Sequence, residues 1–251
     1  MPTWKLQQNS GTNQSFADWG LAGVRLTFQN LDEDFLEFSH EGASFTGDTI
    51  FAFGDKLTVT FVDDDDVATK TFVGYVRQIL PEGEGKSERI RYKACNAWEW
   101  LRHVVFQQQW NFATSPTDSD GGSLALKYVS RVILGQGVDG TFIDVGTIVT
   151  QVVNFAIDTA GVAMAFAGFT EGTLIPAEET RDLTVAGVLQ RLLRWLPDCV
   201  SWWDYTTTVP TLHIGHAADL AALDLTVPDP GTAPADCTDA LSVMKVPRSA
   251  G

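Results

Sequence analysis

The chain has 251 residues, of which 44% are hydrophobic and 20% charged, a composition that fits a folded globular protein and excludes a disordered one. The formal net charge of −15 argues against a surface that reads nucleic acid, although it fits a solubilising surface or a conduit along which DNA slides without sticking. The three cysteines, Cys95, Cys199 and Cys237, have no C-x-x-C spacing and indicate neither a disulfide framework nor a zinc knuckle.

The N-terminus and the apolar stretches indicate no export or membrane segment. Residues 1–16 lack a charged start followed by an apolar run, so they are not a signal peptide. The most apolar stretch, residues 161–169, is far too short to span a membrane. We therefore expect a soluble protein that is made in the cytoplasm.

The first part of the chain predicts β-structure. Residues 1–20 are polar and predict an extended arm or an early edge strand, and residues 23–30 and 33–42 predict two further strands. The clearest segment is a hairpin over residues 54–79, whose two alternating runs flank the polar turn at residues 63–66. In its second run, one face is expected to carry Phe72, Gly74, Val76 and Gln78.

The next strand leads into a helix. Ile90, Tyr92 and Ala94 are expected on one face of that strand. Asn96 is a predicted N-cap, with Glu99 three residues later to reciprocate. The helix is expected to present an apolar stripe of Trp98, Leu101 and Val105.

Three helices and a second hairpin are predicted beyond the turn-rich break at residues 113–123. Leu126, Val129 and Ile133 predict a helix over residues 124–134, and a second helix is expected over residues 147–160, with Gly161 as its stop. Thr184 is expected to cap a third helix, which Pro197 ends. Its apolar stripe is Val185, Val188, Leu189, Leu192 and Leu196. Residues 199–205 and 211–215 predict the hairpin, with one of Trp202 and Trp203 facing inward and the other outward.

Two strings resemble nucleotide-binding motifs, and neither has the required context. Gly135, Gly137 and Gly140 spell G-x-G-x-x-G, but a dinucleotide fingerprint follows a strand and opens a helix. Here a helical pattern precedes Gly135, which favours a glycine-rich helix stop and loop. His213-Ile-Gly-His216 matches the ATP-binding tetrapeptide of one synthetase class, but it ends a hairpin strand and has no lysine-rich partner downstream. His213 and His216 are three residues apart where a strand runs into a loop, so their side chains are not expected to point toward one metal ion. Asp219 is the third ligand that could be suggested.

The remaining signals for chemistry favour structural explanations. The acidic run of residues 63–66 lacks the alternating oxygens of a calcium loop and favours a solvated turn. No G-x-S-x-G motif is present. We therefore expect no catalytic, cofactor-binding or metal-binding residue, and no enzymatic activity.

The order of these elements resembles that of the central hub proteins of phage baseplates and tail tips. The resemblance covers residues 21–216 and lies in the hairpin, the strand that runs into a helix, and the later helix that leads to a second hairpin. In that second hairpin, Asp204 precedes the turn, and Pro210, Leu212 and Ile214 form the return-strand pattern. In such proteins Leu212 and Ile214 are core residues and the neighbouring histidines are incidental.

The resemblance implies an α+β fold: a tail-tube-like antiparallel β-barrel or sandwich over residues 1–112, a smaller α/β domain over residues 113–227, and a linker with a possible return strand over residues 228–251. It implies a trimeric virion protein that closes the tail tube, binds tube, distal tail and tip or spike proteins, and lets DNA pass. Two other classes stay open. A carbohydrate-binding or carbohydrate-cleaving module fits the tryptophans and acids, and a nucleotide-dependent enzyme is the third hypothesis.

Overall fold

Most of the regular secondary structure in the described residues is antiparallel β-sheet. The computed structural model describes residues 3–41, 50–83, 88–113 and 124–219. The strands in these ranges are β1 (Thr3–Gln8), β2 (Gln14–Ser15), β3 (Leu21–Thr27), β4 (Phe35–Glu41), β5 (Lys56–Val62), β6 (Ala68–Glu82), β7 (Arg89–Cys95), β8 (Gln108–Ala113), β9 (Leu124–Val129), β10 (Arg131–Leu134), β11 (Ala165–Phe166), β12 (Glu178–Arg181), β13 (Cys199–Asp204) and β14 (Thr211–His216). The α-helices are α1 (Trp98–Leu101), α2 (Val145–Asn154) and α3 (Val185–Leu193).

The main sheet has seven antiparallel strands and is curled into a half-barrel. Its strand order is β2-β1-β5-β6-β7-β4-β3, so the two edge strands, β2 and β3, are neighbours in sequence. The short connection between them brings the two edges together at one end, where the Leu21 backbone N–H donates to Phe16 O at 2.9 Å. The Trp19 indole N–H donates to the backbone oxygen of Leu6 at 3.0 Å and fixes this connection against β1.

Three aromatic side chains form a cluster in the core beside the main sheet. Phe38, Phe51 and Tyr92 are almost fully buried, and their ring centroids lie 5.3–5.4 Å apart. The predicted strand faces are confirmed here, since Ile90, Tyr92 and Ala94 are all buried. Within the first twenty residues, Thr3–Gln8 and Gln14–Ser15 form strands, but β1 lies inside the sheet between β2 and β5, so only β2 is an edge.

A β-bulge at Arg77 exchanges the inward-facing and outward-facing positions of β6 beyond it. Val76 lies opposite Ala94 and Gln78 opposite Lys93, so Arg77 has no partner on β7. The predicted alternation is therefore wrong beyond Val76: Ile79, rather than Gln78, packs against the core. An extra residue in one strand of a pair reverses the inward and outward positions that follow it.

The second part of the fold packs α2 and α3 together beside small sheets. The strands pair as β8-β9, β10-β12 and β11-β14-β13. The Asp144 side chain accepts the Thr147 N–H at the start of α2, and Thr184 accepts the Gly187 N–H at the start of α3, as predicted for Thr184. The predicted apolar stripe of α3 is buried throughout. Beyond α2 a π-helical turn leads to Gly161, whose φ of 70° ends the helical segment, as predicted.

Two predicted helices differ from the structure. Residues 124–134 form strands β9 and β10 instead of a helix, because β9 pairs with β8 and β10 pairs with the distant β12. The helix at Trp98 has only four residues, so Val105 lies beyond it and is 41% exposed. Asn96 accepts the Trp98 N–H but does not occupy the cap position, which Ala97 takes.

The described residues up to Ala217 form one compact unit, and their core runs without interruption from the main sheet to α2 and α3. The second unit begins at Ala218, and only Ala218 and Asp219 of it lie among the described residues. The predicted domain boundary at residue 113 adjoins residues outside the described ranges, and the predicted linker and return strand at 228–251 lie outside them. Both stay predictions. None of the helices in the described ranges has the length and apolar character needed to cross a membrane.

Candidate assembly surface

The glycine string forms a turn between β10 and α2. Gly135 and Gly140 have φ values of 83° and 80°, and the Gly137 N–H donates to Thr141 O at 2.9 Å across the turn. The predicted helix before Gly135 was wrong, because strand β10 precedes it. The string still opens no helix, since α2 begins at Val145 behind its own Asp144 cap. A phosphate at these glycines would therefore not meet the free N–H groups of a helix start.

The two histidines of the His-Ile-Gly-His string have different environments. Leu212 and Ile214 are buried, as the resemblance implies. His213 stacks on Trp202, with ring centroids 5.1 Å apart and planes inclined by 15°. His216 lies between two carboxylates, with Nδ1 2.7 Å from Asp198 and Nε2 2.8 Å from Glu171. His216 therefore has a specific electrostatic environment, which its sequence position did not indicate.

The two tryptophans of β13 lie on opposite faces, as predicted. Trp203 is buried, and Trp202 is 37% exposed. The ring of His213 covers one face of Trp202, which reduces the open aromatic surface on which a sugar could stack.

The remaining acidic motifs have local structural roles. The Asp63 side chain accepts the backbone N–H groups of Asp65 and Val67, which closes the predicted solvated turn. Asp204 accepts the backbone N–H and hydroxyl of Thr206, and these hydrogen bonds lower its pKa. Both carboxylates thus organise hairpin tips.

An open cleft of about 400 Å³ lies beside the start of α2. Its acidic residues are Asp144, which caps α2, and Glu171, which pairs with His216 and Thr173. The hydrogen bonds of Thr173 lower the pKa of Glu171, so this carboxyl stays ionised near neutral pH and is poorly suited to serve as a general acid.

A buried polar group joins the sheet to the second hairpin. The Tyr205 hydroxyl donates to Asp34 Oδ2 at 2.7 Å and accepts from the Asn96 side chain at 3.1 Å. All three residues are at most 4% exposed. Burial raises the pKa of Asp34 to about 6, although the hydrogen bonds from Tyr205 and the Gln29 backbone oppose the shift. Because the group is enclosed, we interpret it as a structural junction.

The loop between β3 and β4 strengthens this junction. The Leu31 N–H donates to the Ser201 hydroxyl at 2.7 Å, and the Ser201 N–H donates to the Asn30 side chain at 2.8 Å. The Gln190 side chain on α3 donates to the Leu31 carbonyl at 3.0 Å. The half-barrel and the helical part are therefore linked through direct hydrogen bonds.

An aromatic–arginine patch on the surface, formed by Phe53, Tyr75, Arg77 and Trp100, has the residue types of a protein interface. The Arg77 guanidinium lies 3.9 Å from the Trp100 ring centroid and 5.4 Å from that of Phe53. Phe53 is 66% exposed and Trp100 40%. Tyr75 meets Trp100 edge-on at 6.5 Å. Trp, Tyr and Arg are the residues that most often dominate binding energy in protein interfaces.

The bulge in β6 creates this patch. Arg77 is the unpaired residue of the bulge, and such a residue can be directed away from the regular face of its sheet. Its Nε is buried and has no hydrogen-bond partner among the described residues. The patch therefore combines exposed aromatic area with an arginine that is held between two rings. Sequence reasoning missed it, because the bulge depends on the pairing register of β6 and β7.

The half-barrel also leaves two open sheet edges. In the described residues β2 pairs only with β1, and β3 pairs only with β4. A bulge between Ala22 and Arg25 interrupts β3, where Gly23 has a φ of 61°. An edge strand has backbone groups that a further strand can pair with, and a bulge limits where that pairing occurs.

This architecture matches a solved phage tail protein. The 43 kDa tail protein of prophage MuSo2 from Shewanella oneidensis aligns over 88% of this chain and 55% of its own, with a TM-score of 0.51 and 13% sequence identity. The chain has a phage tail-like α+β fold. The fold prediction is thereby confirmed. The open half-barrel, the junction at Asp34 and the aromatic–arginine patch are features of this fold in the present chain.

Two further solved structures align with lower scores. A tail protein from Neisseria meningitidis has a TM-score of 0.49 and 10% identity over 85% of this chain and 51% of its own. A type VI secretion system component from Escherichia coli has a TM-score of 0.46 and 8% identity over 84% of this chain and 48% of its own. The fold assignment rests on the Shewanella protein. The chain spans about half the length of each of these proteins. No family model matches the sequence, and no curated protein matches it.

Proposed function

We propose that this chain is a structural protein of a phage tail, acting as a hub at the distal end of the tail tube. In this role it closes the tube and connects it to tip or baseplate proteins. The observation that carries the proposal is the curled seven-stranded half-barrel with two open edges, in a fold shared with a prophage tail protein. A half-barrel is incomplete alone, and copies arranged around an axis can complete it as a ring.

The proposed assembly is a homotrimer in the virion tail, formed in the host cytoplasm. Its other partners are the tail tube, distal tail proteins and the tip or spike, without stable insertion into a membrane. The protein acts by assembly and has no catalytic role. The net charge of −15 supports passage of DNA through the ring without adhesion, since like charges repel.

The aromatic–arginine patch is the proposed contact between copies or with the adjoining tail protein. The ion pairs among the described residues do not include Arg77, while the chain as a whole has an excess of acidic groups. An acidic side chain of a neighbouring copy can therefore reach a cation that is already held in position by two rings. Such a pre-positioned arginine loses little side-chain entropy on binding.

Electron microscopy of the purified protein tests this function. The proposal predicts ring-shaped particles with three-fold symmetry and a central opening. Isolated single-chain particles at micromolar concentration, with no binding to tail-tube or tip proteins, would contradict it. A glycan bound specifically by the free chain, and lost in Trp202→Ala, would instead favour a carbohydrate-binding tail module.

A further inference from the structure

One side-chain cluster is not explained by assembly. Cys199 and His216 lie directly opposite each other on β13 and β14, and Asp198 precedes Cys199. Directly paired residues of antiparallel strands project on the same side and can touch. His216 Nδ1 is 2.7 Å from Asp198 Oδ2 and 3.7 Å from Cys199 Sγ. The three potential ligand atoms all lie within 4.8 Å of one another.

The chemistry of these three groups fits Zn²⁺. Zinc is bound by thiolate, imidazole and carboxylate ligands, commonly with water as a fourth ligand. Tetrahedral zinc with ordinary bond lengths places sulfur and nitrogen ligands about 3.6 Å apart, close to the observed separation of Cys199 and His216. On the same geometry the distance from Asp198 Oδ2 to His216 Nδ1 must lengthen by about 0.6 Å, which moves the carboxylate outward. Its side chain is 60% exposed and has room to do so.

Glu171 supplies the outer contact that a zinc-binding histidine usually has. Its Oε2 lies 2.8 Å from His216 Nε2, on the side of the ring opposite Asp198 and Cys199. The Thr173 N–H and hydroxyl hold Glu171 in place at 2.9 and 2.5 Å. A proton on Nε2, donated to Glu171, leaves the Nδ1 lone pair directed toward the other two ligands.

We infer that Asp198, Cys199 and His216 form a zinc site with a solvent molecule as fourth ligand and Glu171 orienting His216. The Cys199 thiol releases its proton to solvent when the metal binds. The ion connects the first residue of β13, the last residue of β14 and the loop that contains Glu171. This site does not depend on the proposed tail function, and the two can fail separately.

Titration of the purified, tag-free chain with Co²⁺ and Zn²⁺ tests the site. We expect one Co²⁺ per chain with a sulfur-to-cobalt charge-transfer absorption band, displaced by Zn²⁺. Cys199→Ser should abolish the band, and His216→Gln should lower the affinity at least tenfold. Glu171→Gln should keep the band and lower the affinity about tenfold, as expected for an outer contact.

Matched controls distinguish this site from adventitious metal binding. Cys95→Ser and Cys237→Ser remove the other two thiols, and His213→Gln removes the neighbouring histidine of the same strand. All three should bind Co²⁺ like the unaltered chain. Asp198→Asn changes an exposed side chain, so its loss of affinity would not reflect unfolding. Absence of the band in the folded chain, or a band that persists in Cys199→Ser, would overturn the inference.

Discussion

The carboxyl group of Asp34 lies where water does not reach, with 2% of the residue exposed. Its pKa of about 6, against an ordinary value of 3.8, means that the folded state holds the proton more tightly than the unfolded state. Between about pH 4 and pH 6 the folded chain therefore binds more protons. The contribution of Asp34 to the free energy of unfolding falls as pH rises through this window, by about 3 kcal/mol in total.

Asp34→Asn removes the titrating carboxyl group and should therefore remove its contribution to the pH dependence of the free energy of unfolding. The difference in free energy of unfolding between the unaltered chain and the variant should shift by about 3 kcal/mol from about pH 3 to pH 7, with the unaltered chain relatively more stable at the lower pH. Urea unfolding at several pH values measures it. Parallel curves for the two proteins would mean that Asp34 titrates normally.

Trp100 is the central aromatic residue of the aromatic–arginine patch. Trp100→Ala should raise the dissociation constant of the assembly at least tenfold, because it removes the ring that holds the Arg77 guanidinium. Sedimentation velocity measures this effect. Trp195→Ala is the matched control, since Trp195 is similarly exposed and also lies beside an arginine, but that Arg194 is ion-paired with Glu178. Equal loss of assembly in both variants would exclude a specific role for the patch.

Among the helices and strands, the features that depend on neighbouring side chains could be predicted from the sequence. The cap at Thr184, the buried faces of β7 and α3 and the stop at Gly161 follow from side chains within a few residues. The error at residues 124–134 has a different origin. Leu126, Val129 and Ile133 share a helical spacing, but β10 is set by pairing with β12, more than forty residues away. Val132 and Leu134 are both fully buried and two residues apart, as in a strand with one buried face. The helical spacing of the other apolar residues concealed this alternation.

The candidate surfaces were less predictable than the fold for the same reason. The bulge at Arg77 is a property of register, and Glu171, Asp198 and His216 come together from separate segments. The net charge of the chain indicated neither the aromatic–arginine patch nor the cluster around His216. A polar residue in a single sequence has no visible partner until the pairing of the strands is known.

The packing of α2 depends on the absence of a side chain at Gly146. A Cβ there would lie 2.5 Å from the Glu171 backbone nitrogen and 2.9 Å from the Phe169 oxygen. Gly146→Ala should therefore destabilise the fold by about 2 kcal/mol, within the range for overpacked cores, since backbone atoms must move. Thermal and urea unfolding measure the loss. Gly172→Ala is the control, because no atom lies within 4 Å of its Cβ position, and it should unfold like the unaltered chain.

At the scale of the whole molecule, the proposed ring requires copies to associate despite their charge. Each chain has a net charge of −15, so copies repel at long range. Salt screens this repulsion, and the screening length is about 10 Å at 0.1 M. Short-range contacts, such as the patch and the open edges of β2 and β3, must supply the attraction. Assembly should therefore be stronger in about 0.3 M salt than in about 0.02 M salt.

The native mass of the purified chain at micromolar concentration is the most direct test. A ring of the proposed kind should have the mass of three chains and should persist or strengthen as salt is added. A mass of one chain across the whole micromolar range, at both salt concentrations, would contradict the claim that the half-barrel is completed by other copies.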